Sequence, residues 1–186
     1  VIEHAELVVL WGVNAQVTLK NSWHMPDHEG QAGFKALKEK GTRVISIDPV
    51  YNETAKLVGA EWIAPNAYTD VAMMLGVAHT LYSEKKHDQA FLDRYTVGFD
   101  TFLAYLLGKE DGQPKSAEWA SSVCGVDAKV IRQLALDMAA KRTMIMAGWG
   151  MQRQHHGEQP NWMLVTLAAM LGQIGLPGGG YGFSYH

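Results

Sequence analysis

Cysteine is nearly absent. Cys124 stands alone in 186 residues, which excludes an intramolecular disulfide and leaves the compartment open, since many proteins of oxidising compartments also lack disulfides. Charge is scarce too. Asp, Glu, Lys and Arg make up 19% of the chain, below the usual quarter, so much of the surface is expected to be covered by something else. The net charge of −3 comes without any basic stripe, which argues against a nucleic-acid partner. No apolar run reaches the ~18 residues of a membrane span. No secretory leader is read before the first strand-like run, so any targeting sequence is expected to be removed or absent from this piece. Cys-x-x-Cys and His-Glu-x-x-His are both missing, and with them the usual protein-only metal sites. Gly-x-Gly-x-x-Gly is missing after the first strand, where Gly12 stands alone; that counts against an ordinary nicotinamide enzyme. Internal repeats and low-complexity segments are absent.

What is present is enough for one sizeable core. Hydrophobic residues reach 47%, an ordinary globular level that excludes disorder. The length is that of a single domain spanning residues 1–186. The chain opens on Val1 and stops just past Gly178-Gly179-Gly180-Tyr181-Gly182, so it is expected to be an internal segment of a larger protein.

Four short apolar runs share one grammar. Leu7–Leu10 ends in Trp11-Gly12, Arg43–Ile47 in Asp48-Pro49, Trp62–Ala64 in Pro65-Asn66, and Met144–Ala147 in Gly148-Trp149-Gly150. The runs are continuous rather than alternating, as for strands covered on both faces of a parallel sheet. Helical periodicity fills the gaps: Gln31–Lys40 ending at Gly41, a run from Asp70 capped by Thr69, Asp127–Ala140, and an apolar, buried Trp162–Ile174. Shorter helices around Phe91–Tyr95, Phe99–Leu107 and Ala117–Cys124 form a helical insertion at about 83–126, before the last strand. The fold class expected is α/β, a doubly wound, mainly parallel sheet of Rossmann-like type. The glycine-rich end, Leu176–Gly182, reads as a loop.

Open α/β sheets bind ligands at the carboxyl ends of their strands. Asp48 ends the second strand, where a dinucleotide fold places an acid for ribose hydroxyls; Asp48-Pro49 also reads as the start of a turn. Gly148–Gln159 is dense in hydrogen-bonding groups and reads as a functional loop. Arg153 is its natural anion or oxo-group binder, with an ion pair to Glu158 as the plainer reading. His24 and His28 are separated by the helix-breaking Pro26, and the adjacent His155 and His156 are expected to diverge. Cys124 reads as a small buried hydrophobe.

The run Gly148-Trp149-Gly150-Met151-Gln152-Arg153, then His156-Gly157-Glu158-Gln159, then Trp162–Gly175 and Pro177-Gly178-Gly179-Gly180, is long and specific. With Ile47-Asp48-Pro49, Thr69–Gly76 and Ala117-Glu118-Trp119-Ala120, it resembles the dimethyl sulfoxide reductase family of molybdenum enzymes across essentially the whole chain. The branch it resembles holds the reductases of trimethylamine N-oxide, dimethyl sulfoxide, biotin sulfoxide and methionine sulfoxide. The resemblance implies a molybdenum-bis(molybdopterin guanine dinucleotide) cofactor, one arm of which this segment would cradle. It implies cofactor contacts at Val17, Thr18, Ile47, Asp48, Tyr68, Thr69, Asp70, Trp149, Gly150 and Arg153, with Trp149 and Arg153 near the substrate funnel. No catalytic residue and no metal ligand are implied within the fragment; the ligating serine would lie upstream, so the fragment alone is expected to be inactive. Tyr51 stands where the family often has Arg, and Val17 where a polar residue is common, so any contact at Val17 would be through backbone.

The implied reaction is oxygen-atom transfer from a small S-oxide or N-oxide, completed by two electrons and two protons as in anaerobic respiration. The implied partners are the remaining domains of the same chain and an electron donor such as a cytochrome; the periplasm is the favoured location, with the cytoplasm left open because the branch occurs in both. Two other readings stand beside this one. The central domain of a thiamine-diphosphate-type enzyme shares the strand-Gly and strand-Asp-Pro grammar but lacks a loop like Gly148–Gln159. A non-catalytic cofactor-binding module is the other.

Overall fold

A computed structural model describes residues 1–18 and 29–183, without the side chain of Phe183. In chain order the elements are β1 (Leu7–Trp11), α1 (Ala15–Thr18), α2 (Glu29–Lys40), β2 (Arg43–Ile47), α3 (Glu53–Val58), β3 (Glu61–Ile63), α4 (Asp70–Ser83), α5 (Gln89–Tyr95), α6 (Phe99–Leu106), α7 (Ala117–Cys124), α8 (Ala128–Ala140), β4 (Thr143–Ala147), α9 (Glu158–Met170) and β5 (Gly180–Phe183). A 3₁₀ turn, Trp149–Gln152, joins β4 to α9. The sheet runs β3-β2-β1-β4-β5, with every neighbouring pair parallel.

The continuous apolar runs follow from helices on both faces. Leu7, Val9, Trp11, Ile45, Ile47 and Ile145 point into a core filled from α4, α7, α8 and α9. Val8, Leu10 and Val44 point the other way, onto Phe34 and Leu37 of α2 and Ala55 and Val58 of α3. Each fully buried Leu or Ile contributes about 1.5–3 kcal/mol. Side-chain oxygens cap the helices: Asn52 accepts from Ala55 N–H at 3.0 Å and Asp88 from Phe91 N–H at 2.9 Å, and Ser116 and Asp127 do the same for α7 and α8. Gly41 takes the left-handed conformation expected after α2.

Several expectations need correction. Gly180–Phe183 is a strand and not a loop, because the free edge of β4 supplies a hydrogen-bond ladder that outweighs the poor strand propensity of glycine. The helical insertion, α5–α7, therefore precedes the fourth of five strands. β3 is not covered on both faces: Glu61 and Trp62 are exposed because β3 is a sheet edge. α9 begins at Glu158, four residues early, since Pro160 falls in the first turn, where the lost N–H costs little. Nor is α9 buried all round; Trp162 is 65% exposed. Thr69 precedes α4 but makes no side-chain cap, because its hydroxyl donates to the Asn66 carbonyl at 2.6 Å.

Candidate nucleotide site at the carboxyl edge of the sheet

From β1 the chain builds outward to β2 and β3, then returns to set β4 on the other flank of β1. The connections after β1 and β4 thus leave in opposite directions, which opens a crevice between their carboxyl ends. Glycine backbone forms its floor. Gly12 N–H donates to the Ile47 carbonyl at 2.9 Å and Gly148 N–H to the Trp11 carbonyl at 3.0 Å. A Cβ on Gly148 would run into the Gly12 carbonyl, and Gly12 itself lies at φ +61°. Only residues without side chains let the two strand ends converge so closely. Space around Gly150 is open, with nothing within 4 Å of where a Cβ would stand.

Each of β1, β2, β3 and β4 contributes a connection to this edge. After β1, Asn14 donates to Glu53 at 2.7 Å and Gln16 N–H to the Thr54 hydroxyl at 3.0 Å, which seats α1 on α3. Val17 and Thr18 are both exposed there. After β2, Asp48 closes a turn: one carboxylate oxygen accepts from Val50 N–H at 2.8 Å and the other from the Asn52 amide at 3.0 Å. The turn role of Asp48 is therefore real. It leaves acceptor capacity, because a carboxylate offers about four lone-pair sites. Ile47 is 1% exposed, so it meets a ligand only through backbone. Tyr51 packs against Trp62 with ring centroids 5.6 Å apart.

After β3, Asn66 is pinned to the end of α7, its N–H donating to the Cys124 carbonyl at 2.8 Å. Tyr68 then takes φ +64°, a left-handed conformation that costs a non-glycine residue about 1–2 kcal/mol. Its ring is 75% exposed. Asp70 follows, and its carboxylate accepts the Trp11 indole N–H at 2.9 Å. Burial pushes the Asp70 carboxyl above its ordinary value, the Trp11 hydrogen bond opposes that, and the Asp48 charge adds to it. The two acids are thus electrostatic neighbours. Cys124 is fully buried and burial pushes its thiol up, which suits an inert core residue.

After β4, the Trp149–Gln152 turn buries Met151 against Gly12. Arg153 is exposed, and no ion pair reaches it among the described residues; Glu158 lies near His156 instead, at 3.5 Å. The two rings of His155 and His156 do not diverge. Their centroids are 3.9 Å apart, because His156 sits at φ +56° and turns its side chain back. Among the described residues no group of three or more His, Cys, Asp or Glu is placed to hold a metal ion. His24 and His28 lie outside the described residues.

The structure gathers the expected site residues onto one edge. Two members were missed: Trp11, which reads as core, and Asn52, which caps α3 while donating to both Asp48 and the Val13 carbonyl. The electrostatics divide the edge. Two neighbouring carboxylates repel phosphate and attract hydrogen-bond donors such as ribose hydroxyls or a purine N–H. Phosphate is tolerated where neutral glycine backbone and Arg153 lie.

A family model described as molybdopterin oxidoreductase matches residues 1–186. The chain is 59% identical, over its full length, to a dimethyl sulfoxide/trimethylamine N-oxide reductase of Cereibacter sphaeroides, and covers 23% of that protein. It is 56% identical to a trimethylamine-N-oxide reductase of Haemophilus influenzae, again over its full length and over 22% of that protein. The solved structure of the acetylene hydratase of Pelobacter acetylenicus superposes with a TM-score of 0.66 at 20% identity, covering 94% of this chain and 22% of that one. At that identity the likeness speaks for the fold alone. The chain spans less than a quarter of the length of the curated relatives it matches.

Proposed function

Since the chain belongs to the molybdopterin oxidoreductase family, we propose that its sheet edge holds one guanine dinucleotide arm of a molybdenum-bis(molybdopterin guanine dinucleotide) within a longer S-oxide or N-oxide reductase. The family supports a molybdenum–molybdopterin cofactor, and membership sets aside the thiamine-diphosphate reading. The observation that carries the proposal is the division of the edge: Asp48 at the end of β2 and Asp70 at the start of α4 on one side, the open backbone at Gly150 and exposed Arg153 after β4 on the other. That division suits a guanine dinucleotide. Guanine offers two kinds of N–H and ribose offers hydroxyls, for Asp48 and Asp70. The diphosphate is dianionic and needs neutral donors and a cation, for the open backbone at Gly150 and for Arg153.

When bound, the cofactor supplies two-electron oxygen-atom chemistry; the chain supplies binding, orientation and electrostatics. Tyr68, Thr69, Val17 and Thr18 stand on the loops that would flank the nucleotide, and Ile47 would contribute backbone. Trp149 and Arg153, on the turn after β4, would also border the substrate funnel. Trimethylamine N-oxide and dimethyl sulfoxide, which the names of the relatives carry, and by extension biotin or methionine sulfoxide, are the substrates we propose for the longer protein. Its other domains, an electron donor such as a cytochrome and a periplasmic location are part of the same proposal. No helix among the described residues is long and apolar enough to cross a membrane.

Arg153 gives the test. In the full-length protein Arg153→Ala should keep the fold, since an exposed turn residue adds little to the core. It should weaken cofactor retention or kcat/KM by about 1–3 kcal/mol, the scale of a lost charged hydrogen bond. Lys should rescue only in part, lacking the planar fork. Full molybdenum content together with unchanged kcat/KM would place Arg153 outside the site.

A further inference from the structure

Trp11 ends the central strand and is 0% exposed. Its side chain belongs to the core formed with Ile47, Ala147 and Met151. A fully buried indole needs an acceptor for its N–H, and an apolar core offers none. The acceptor is Asp70, 59 residues away in sequence, at 2.9 Å. That bond joins the end of β1 to the first residue of α4. The loop before Asp70 is held as well, by Asn66 on α7 and by the Thr69 hydroxyl on the Asn66 carbonyl. Asp70 is therefore fixed from both sides.

We propose that Trp11 is a positioning residue, which sets the plane of the Asp70 carboxylate so that it meets the donor groups of the guanine nucleotide in one orientation. The inference rests on the nucleotide reading of the sheet edge. Its electrostatic side is consistent with the geometry. Desolvation favours the protonated form of Asp70 and so does the charge of Asp48, which is itself held by Val50 N–H and Asn52. The indole N–H favours the ionised form. Trp11 thus opposes the upward push of burial on the Asp70 carboxyl, as well as aiming it.

The test uses the full-length enzyme made in a cofactor-competent host, with Trp11→Phe, Asp70→Asn and the double variant. Guanine and molybdenum content are measured after incubation across the acid range, beside thermal unfolding of cofactor-free protein. Retention that needs ionised Asp70 is lost as pH falls through its pKa. Removing the N–H raises that pKa, so Trp11→Phe should move the acid limb of retention upward by roughly one pH unit, the scale of one hydrogen bond to a charged group. Asp70→Asn should lower cofactor content at every pH, and the double variant should match Asp70→Asn. If Trp11→Phe does not fold, the isosteric benzothiophene analogue at position 11 keeps the volume and still lacks the N–H. Cofactor loss in Asp70→Asn, with the Trp11 limb unmoved, would overturn the positioning role alone. Normal cofactor content in Asp70→Asn would overturn the nucleotide reading of this edge, and the proposal with it.

Discussion

Arg43 holds three elements together with one side chain. At the start of β2 it reaches Glu61 of β3 at 2.7 Å and Asp137 of α8 at 2.5 Å. The guanidinium is pushed above its ordinary value, first by its hydrogen bond to Glu61. The same bond holds the Glu61 carboxyl below its ordinary value. A depressed carboxylate stabilises the fold fully above its unfolded pKa and loses that contribution as pH falls through the folded one. Both partners are partly exposed, so solvent screening limits the pairs to about 1 kcal/mol. Arg43→Met should lower stability by that amount near neutral pH. The difference from wild type should narrow in the acid range, measured by chemical denaturation from neutral pH into the acid range. A difference independent of pH would mean that Arg43 acts through packing alone. Asp48 was legible as a candidate because an acid at a strand end has a physical rationale, and Asp70 because the family resemblance points to it at the start of α4. Trp11 was not, nor was the Asn52–Val13 bond: the partners lie 59 and 39 residues apart, and nothing in local spacing reports a contact formed by a sheet and its crossovers.

At the scale of elements, α4 is the hub. It packs on α7, α8 and α9, and its closest approach is to α7 at Gly76. A Cβ there would stand 2.6 Å from the Ala120 Cβ and 3.2 Å from Ile131. Gly76→Ala sets two effects against each other. Helix propensity gains about 1 kcal/mol, while overpacking typically costs 1–3 kcal/mol. The contact is with a rigid methyl group, so overpacking should win and melting temperature should fall. Ala120→Gly in the same chain should restore part of the loss. A higher melting temperature for Gly76→Ala would show that α4 and α7 separate at little cost. The longer helices, α2 and α4–α9, and the first four strands were legible from apolar runs, caps and glycine stops. β5 was not, because Gly180-Tyr181-Gly182-Phe183 is a strand only where β4 offers an unpaired edge. α1 and α3 were missed for a similar reason: four and six residues are too short to show a period, and the Gln16–Thr54 bond joins them through tertiary contact.

For the whole molecule, function follows from which edge of the sheet is used. The order β3-β2-β1-β4-β5 makes the carboxyl ends of β1 and β4 the point of divergence, and four loops distant in sequence converge there. The opposite edge carries the Arg43–Glu61 ion pair, Arg142 bonded through its N–H to Glu6, and the turn at Gly41, whose N–H donates to the Lys38 carbonyl. Hydrogen exchange on the full-length protein, with cofactor against without, compares the two edges directly. Cofactor should protect the backbone at 12–14, 48–50, 66–70 and 148–153 and leave 41–43 and 141–143 unchanged. Protection confined to the amino-terminal edge, or none at 12–14 and 148–153, would contradict a nucleotide site at the β1–β4 crevice.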